Sequence, residues 1–341
     1  MSTPTRVLVE FSDGAESEVL VRADQSVLDA ALTADVPILN QCQTGSCGSC
    51  IARLLDGKAE HRNGAAGSLI PGERAEGYRL LCLTRPDGEC RFSLGYDSTA
   101  GKNRPVEAKC FVNKVDRIAC NVVRLELELA EGYWMDFRPG QFIQVKVPGT
   151  EEFRSYSMAT TAADLPRIEL LIRILDDGAM SKWLTSMAKP DDVIEISGPY
   201  GQFFLKEKVR APHIMIAGGT GLAPMMSMLD ALRQAPGRKP RTVLSFGCQT
   251  RDALFALEQL DLRRQWMPAL ETRICVDRGD AADGIRIGNP VEAITSNDEL
   301  SPDSVAYLCG PPGMIAAARQ HLEGLGLPPE SIFAEQFVAS N

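Results

Sequence analysis

Three successive patterns along 341 residues predict a multidomain chain of mixed α+β and α/β class. Alternating apolar runs around one short amphipathic helix come first, six short strands divided by turn signals follow, and strand alternating with helix fills the last third. The length exceeds what one ordinary core supports, and no internal repeat is visible. The boundaries read from these shifts are a small sheet gripping one helix over residues 1–97, a connector over 98–105, an antiparallel β-barrel over 106–208 and a doubly wound parallel sheet over 209–341.

The first segment opens with alternating runs at 6–11 and 18–22 around the turn Ser12-Asp13-Gly14, which predicts a hairpin. Ser26 is a good N-cap, Asp29 follows three residues on, and Val27, Leu28, Ala31 and Leu32 form an apolar helical face. Strands are expected at 51–55 and 90–94. Between them lie Cys42, Cys47, Cys50 and, after 31 intervening residues, Cys82. The order C-x4-C-x2-C with a distant fourth cysteine is the plant-type [2Fe–2S] spacing. Gly45 and Gly48 lie between the clustered cysteines, where absent β-carbons let backbone N–H groups approach sulfur. A structural zinc site is the competing reading, but zinc usually takes four cysteines as two separated knuckles. The other cysteines, Cys90, Cys110, Cys120, Cys248, Cys275 and Cys309, are scattered, as reduced cytosolic thiols would be. Residues 96–105 have turn-forming composition and read as a link between domains.

Strands of the barrel are expected at 110–115, 122–129, 142–147, 153–159, 168–174 and 193–196. In Arg154-Ser155-Tyr156-Ser157, side-chain alternation puts Arg154 and Tyr156 on one face, a pairing that suits a flavin nucleotide: guanidinium to phosphate, phenol ring to isoalloxazine, Ser157 near the reactive nitrogen. Gly178-Ala179-Met180-Ser181 begins a helical run, where free N–H groups attract phosphate. Alone, the first is a common surface pair and the second an ordinary loop with a serine near the N-cap. The segments 137–142 and 198–201 read as turns at barrel ends.

From residue 212 onward, strands at 213–217, 242–247, 273–276 and 305–309 alternate with helices at 222–234, 253–264 and 314–325. Ligands of such sheets sit beyond the carboxyl ends of the strands, which directs attention to Gly218, Gly247 and Gly310. Gly218-Gly219-Thr220-Gly221-Leu-Ala-Pro224 resembles a phosphate cradle, although Pro224 replaces the last glycine of the dinucleotide fingerprint. Cys309-Gly310-Pro311-Pro312-Gly313-Met314 forms a second turn at the same edge, with Cys309 facing the crevice as a lining for nicotinamide. The tail Phe333-Ala-Glu335-Gln-Phe337 reads as an edge strand that can bring an aromatic ring back over a flavin.

Hydrophobic content of 44% with 24% charged residues is that of a globular protein. A net charge of −9 without a basic run gives no electrostatic support for nucleic-acid binding. Residues 1–97 carry nine Lys/Arg against fourteen Asp/Glu, which suits either docking on a basic redox partner or plain solubility. The N-terminus has no apolar h-region and no apolar stretch is long enough to span a bilayer, so a cytoplasmic location without membrane insertion is expected. His61, His213 and His321 lack ligand spacing and read as structural.

Taken in order, these motifs resemble the ferredoxin–NAD(P)H reductase superfamily fused to an N-terminal plant-type ferredoxin, and among its members the reductase components of aromatic-ring dioxygenases of the benzoate and anthranilate type. The motifs span the chain nearly end to end. The resemblance implies a β-grasp ferredoxin domain, an FAD-binding barrel and an NAD-binding α/β domain. It implies that Arg154, Ser155, Tyr156, Ser157, Gly178, Met180 and Ser181 hold FAD, and that Gly218, Gly219, Thr220, Gly221, Cys309, Gly310, Pro311 and Met314 surround NADH. Tyr156, Ser157, Cys309 and Phe337 would flank the reacting rings. Hydride would pass from NADH to FAD and electrons singly to the cluster. The implied partner is a terminal oxygenase, either a Rieske-type hydroxylase or, with the same modules, the diiron hydroxylase of a phenol, alkene or methane monooxygenase. A non-catalytic iron–sulfur sensor is the remaining alternative, against which the intact glycine turns argue. NADH is expected over NADPH because Gln249-Thr250-Arg251-Asp252 offers one basic residue for a 2′-phosphate.

Overall fold

The computed structural model describes residues 3–61, 67–206, 210–279, 284–298 and 300–337. They form two compact units, one of residues 1–105 with 200–202, the other of 106–199 with 203–341. The expected boundary between barrel and nucleotide segments falls at 207–209, outside the described residues.

In the first unit the hairpin forms from β1 (Thr5–Glu10) and β2 (Glu16–Val21), and Ser26 caps α1 (Val27–Thr33) through a reciprocal box with Asp29. After the cysteine loop come β3 (Ile51–Asp56), β4 (Ala59–His61), α2 (Pro71–Ala75), β5 (Tyr78–Leu80), β6 (Thr84–Pro86) and β7 (Cys90–Ser93). The main sheet runs β2-β1-β7-β3-β5, with β1 and β7 parallel and the other neighbours antiparallel, and β4 pairs separately with β6. Val7, Val9, Val19, Leu28, Ala31, Leu80 and Phe92 are almost fully buried, so the inward positions of the strands meet the apolar face of α1. The connector is docked on this unit over its first half. Tyr96 is buried with its hydroxyl accepting from Leu39 N–H at 2.9 Å, Ser98 donates to Asp13, and a β-carbon on Gly101 would lie 1.9 Å from Pro37 O. Composition marked a link between domains but not this docking, because polar turn residues conceal one buried aromatic.

The second unit begins with β8 (Val106–Ala119), β9 (Val122–Leu129), β10 (Phe142–Lys146), β11 (Phe153–Ser157), β12 (Arg167–Arg173), α3 (Ala179–Ser186) and β13 (Val193–Tyr200). The six strands run β11-β10-β13-β8-β9-β12, and a bridge between Met158 and Leu170 joins the two edges into a barrel. Leu125, Leu127, Ile143, Val145, Ile168 and Leu170 fill it, with Met180 and Trp183 of α3 packed in.

The chain continues through β14 (His213–Gly218), α4 (Leu222–Gln234), β15 (Thr242–Cys248), α5 (Leu257–Trp266), β16 (Leu270–Val276), β17 (Ile285–Ile287), β18 (Val305–Gly310), α6 (Pro312–Gly324) and β19 (Ile332–Gln336). This sheet is parallel throughout in the order β17-β16-β15-β14-β18-β19. Succession runs outward from β14 in one direction and then resumes on its other side at β18, so the topological switch point lies between those two strands. Helix α5 starts later than the periodicity suggests because Arg251–Ala253 is a 3-10 turn and Ala256 takes a left-handed φ of 57°. Short β17 has too few residues to register as a periodic run. The three histidines are structural in placement: His213 is buried and stacked on Tyr307, His61 Nε2 accepts from Leu80 N–H, and His321 Nε2 lies 2.7 Å from Ile294 O. No helix of the described residues is long and apolar enough to cross a membrane.

Candidate functional site

The four cysteines of the first unit meet as two pairs. Cys42 and Cys47 share a hydrogen bond, Cys50 and Cys82 share another, and charge coupling links Cys42 to Cys82 and Cys47 to Cys50. The loop that does this needs left-handed backbone at Gln43 (φ 56°), Gly45 (83°) and Gly48 (73°). A β-carbon at Gly45 would also lie 2.5 Å from Leu83 Cδ1. The N–H groups of Thr44, Ser46 and Cys47 converge on Cys42 Sγ at 3.3–3.4 Å, and Ser49 N–H reaches Cys47 Sγ at 3.5 Å. The bond from Cys47, backed by the side chains of Ser46 and Thr44 and by the Thr44 amide, lowers the Cys42 thiol to about 3 against the effect of burial. Cys47 is raised as the donor of that bond; in the second pair Cys50 is raised and Cys82 lowered in the same way.

Two observations test whether a cluster fits. Ser49 Oγ, between two of the cysteines, is buried without a hydrogen-bond partner, as a donor reserved for an absent acceptor would be. The second is the set of backbone N–H groups that converge on Cys42 Sγ and Cys47 Sγ, the environment a charged metal–sulfur centre needs. Paired thiolates with amides aimed at sulfur suit a two-iron cluster better than one tetrahedral zinc. Gln202, which clusters with this unit, donates from Nε2 to Gly48 O and Ile51 O at 3.1 Å and steadies the loop where it enters β3.

In the second unit the flavin candidates lie on β11 and at the start of α3. Arg154 and Tyr156 are half-buried on one face of β11, and Ser155 is exposed on the other, the face that also carries buried Ser157. Burial pushes the Tyr156 phenol up and keeps it neutral. Arg154 donates to Glu152 Oε2 at 2.6 Å, so any phosphate it holds must compete with that carboxylate. Gly178 is the N-cap of α3, and a β-carbon there would lie 2.9 Å from Ser181 Oγ. Ser181 is buried and accepts from Leu175 N–H at 2.9 Å, with its own O–H left to donate. The side chain of Met180 lies in the barrel core, which leaves only its amide for a ligand. The first intrahelical bond is Lys182 N–H to Gly178 O, so the amides of 179–181 are the ones a helix leaves without an internal acceptor. Guanidinium, serine hydroxyl and helix-start amides are each the kind of donor that a nucleotide phosphate takes.

The nucleotide candidates meet at the switch point. A β-carbon at Gly221 would lie 2.1 Å from Cys309 O, one at Gly218 would lie 2.7 Å from Met314 Sδ and 3.0 Å from Pro311 Cδ, and one at Gly310 would lie 3.2 Å from Gly218 Cα. The glycines therefore let two strand ends close on each other, and Gly219, Thr220 and Gly221 form the 3-10 turn that leads into α4. Gly219 at φ 54° has open space beside it, the cradle a phosphate would occupy.

One further group lies where these sites adjoin. Ser157 Oγ donates to Glu335 Oε2 at 2.9 Å, Glu335 stands opposite Cys309 in the β18–β19 register, and Phe337 N–H donates to Gly310 O at 3.0 Å. Burial raises the Glu335 carboxyl to about 7, with Ser157 opposing, and raises the Cys309 thiol well above its usual range, with Glu335 adding to it. Thus Ser157, Cys309 and Phe337 come together, with Tyr156 immediately before Ser157 on β11. Sequence reasoning passed over Glu335. Its signal was an acidic residue on the same face as Phe333 and Phe337, near the end of the short strand Ile332–Gln336.

Beside the end of β15, Asp277 and Arg278 donate their N–H groups to Cys248 O and Gln249 O, so Arg278 joins Arg251 as a second base at that edge while Asp252 and Asp277 oppose them.

Comparison with known proteins matches a 2Fe-2S iron-sulfur cluster binding domain to residues 10–87, an oxidoreductase FAD-binding domain to 109–205 and an oxidoreductase NAD-binding domain to 215–320. The chain is 30% identical to the 2-halobenzoate 1,2-dioxygenase electron transfer component of Burkholderia cepacia over 97% of both chains. It is 33% identical to methane monooxygenase component C of Methylosinus trichosporium over 86% of this chain and 87% of that one. Among solved structures it is similar to the Amycolatopsis cytochrome P450 reductase GcoB, with a TM-score of 0.73, 27% identity and coverage of 98% and 99%.

Proposed function

Because this chain belongs to the family of oxygenase electron-transfer components that join 2Fe-2S, FAD-binding and NAD-binding domains, we propose that it is an NADH-dependent reductase whose electrons leave through its own [2Fe–2S] site to the terminal oxygenase of an aromatic-ring dioxygenase. When bound, nicotinamide supplies electrons in pairs, flavin takes pairs and returns single electrons, and the cluster carries one at a time. One observation carries the reading: paired thiols suited to a one-electron centre and a glycine-lined crevice suited to a two-electron donor occur on the same chain.

The residues divide the work accordingly. Cys42, Cys47, Cys50 and Cys82 hold the cluster, and the amides aimed at Cys42 stabilise its negative charge. Arg154, Ser181 and the amides at the start of α3 hold flavin phosphate, Tyr156 and Phe337 border the ring, and the turn at Gly218–Gly221 with Gly310, Pro311 and Met314 receives the nicotinamide nucleotide. Glu335 holds a proton near neutrality at the carboxyl that faces Ser157 Oγ, and buried Cys309 keeps that corner dry.

Methane monooxygenase component C, at 33% identity, favours a diiron monooxygenase as the second reading. Purified protein mixed with a Rieske dioxygenase, with a diiron hydroxylase and with a cytochrome P450 separates the partners by NADH-coupled product formation. Turnover with the Rieske enzyme alone is expected; turnover only with either other class removes the dioxygenase assignment. NADH over NADPH rests on the opposed charges at the end of β15, and equal kcat/KM for the two nucleotides would remove it.

A further inference from the structure

The opposite edge of the nucleotide sheet carries a cleft unrelated to the sites above. Its volume is about 650 Å³, the size of a small-molecule site. Three connections line it: Arg210 and Pro212 before β14, Arg238, Lys239, Pro240 and Arg241 before β15, and Pro268 and Ala269 before β16, with Leu270 and Glu271 at the start of that strand. Four cations therefore face one carboxylate, on a chain whose net charge is −9. The sequence shows only the short run Arg238-Lys239-Pro240-Arg241; the fold brings Arg210 to it.

The backbone beneath the cations is fixed. His213 N–H donates to Arg241 O at 2.8 Å, Thr242 N–H to Ala269 O at 2.9 Å and Val305 N–H to Pro212 O at 3.0 Å, while three prolines restrict the loops. Arg241 is oriented from behind by Asp298, a buried carboxylate that Arg273 grips through both terminal nitrogens and that also accepts from Thr295 N–H at 2.7 Å. Arg210 and Arg238 project without a described ion-pair partner. Gathering like charges on a rigid, concave frame is unfavourable unless an anion offsets it.

We propose that this cleft binds a small phosphate-bearing polyanion, with Arg210, Arg238, Lys239 and Arg241 as its ligands. Nucleotide cofactors occupy the carboxyl ends of such strands. The six and seven residues of β14 and β15 put the cleft about 20 Å from that edge. The site is thus separate from the one that takes NADH.

Calorimetric titration of the flavin-loaded, full-length protein with inorganic pyrophosphate, in the presence of saturating NAD⁺, tests the assignment. Saturable binding at one site is expected, weakened at least tenfold by Arg210→Ser combined with Arg238→Ser and unchanged by Arg22→Ser in the first unit. Parallel titrations with ATP and citrate distinguish a nucleotide polyphosphate from free pyrophosphate and from a polycarboxylate; citrate as the sole binder overturns the phosphate assignment. Heat that fails to saturate, or binding equal in wild type and the double variant, overturns the site. Hydrogen exchange of segments 238–241 and 268–271 provides a second reading, since pyrophosphate is expected to slow it in wild type and not in the double variant.

Discussion

Ser49 is 1% exposed and its hydroxyl has no partner, an arrangement that costs about 1–3 kcal/mol unless something accepts from it. Sulfur of a bound cluster is the acceptor the neighbouring cysteines would bring there. Hydrogen bonds to cluster sulfur favour the reduced state with its extra negative charge. Ser49→Ala is therefore expected to move the midpoint potential downward with cluster content unchanged, and Ser49→Thr to restore it; spectroelectrochemistry checks both, and an unmoved potential in the alanine variant contradicts the role. Glu335 makes a pH-dependent counterpart in the other unit. Its carboxyl is raised to about 7, so between the unfolded value near 4.5 and that pH the native state binds more protons than the unfolded chain, and stability is lost as pH rises through the window. Allowing for its partial exposure, the loss is on the order of 2 kcal/mol. His61 and His213, lowered to about 4 by burial, act in the opposite sense as pH rises from 4 toward 6.5. The check is consequently a difference: urea denaturation of wild type and Glu335→Gln at pH 5 and pH 8, with wild type losing more between the two.

At the scale of elements, the turn from β14 into α4 shows why glycine stands where it does. A methyl group at Gly221 would sit 2.1 Å from the carbonyl of Cys309, a backbone atom that cannot rotate away. Gly221→Ala is expected to push the ends of β14 and β18 apart, at about 2–3 kcal/mol in stability and with at least a tenfold rise in the Kd for NAD⁺, measured by denaturation and by equilibrium titration. Open space beside Gly219 makes Gly219→Ala the milder variant, limited to the strain of its φ of 54°. These glycines were legible in the sequence because they follow an apolar strand and precede a helix. The barrel strands were legible by alternation, as in β9, whose inward Val123, Leu125, Leu127 and Leu129 are all buried. Strands of three residues such as β4, β6 and β17 were not, since a run that short has no period. The pairing of Ser157 with Glu335 spans 178 residues and depends on tertiary contact alone. The basic cleft was hidden for the same reason, because Arg210 and Arg238 meet only through the parallel register of β14 and β15.

Across the whole molecule, each unit has a core of its own. Val7, Leu28 and Phe92 centre the first, and two apolar clusters, one inside the barrel and one around β14 and α4, centre the second. Chemistry is divided along the same line: Cys42, Cys47, Cys50 and Cys82 lie in the first unit, and the residues assigned to flavin and nicotinamide lie in the second. Loss of the cluster should then leave the two-electron half intact. Replacing Cys50 and Cys82 by serine removes one of the two thiol pairs without enlarging any side chain, so the fold of the second unit is not disturbed. The double variant is expected to retain flavin absorbance and to be bleached by NADH in the absence of oxygen at a rate within twofold of wild type, while NADH-coupled turnover with the terminal oxygenase falls at least a hundredfold. Anaerobic stopped-flow absorbance measures the first step and product formation the second. Equal turnover in variant and wild type would mean that electrons reach the oxygenase without passing the cysteine loop, and the exit assigned to Cys42, Cys47, Cys50 and Cys82 would be wrong.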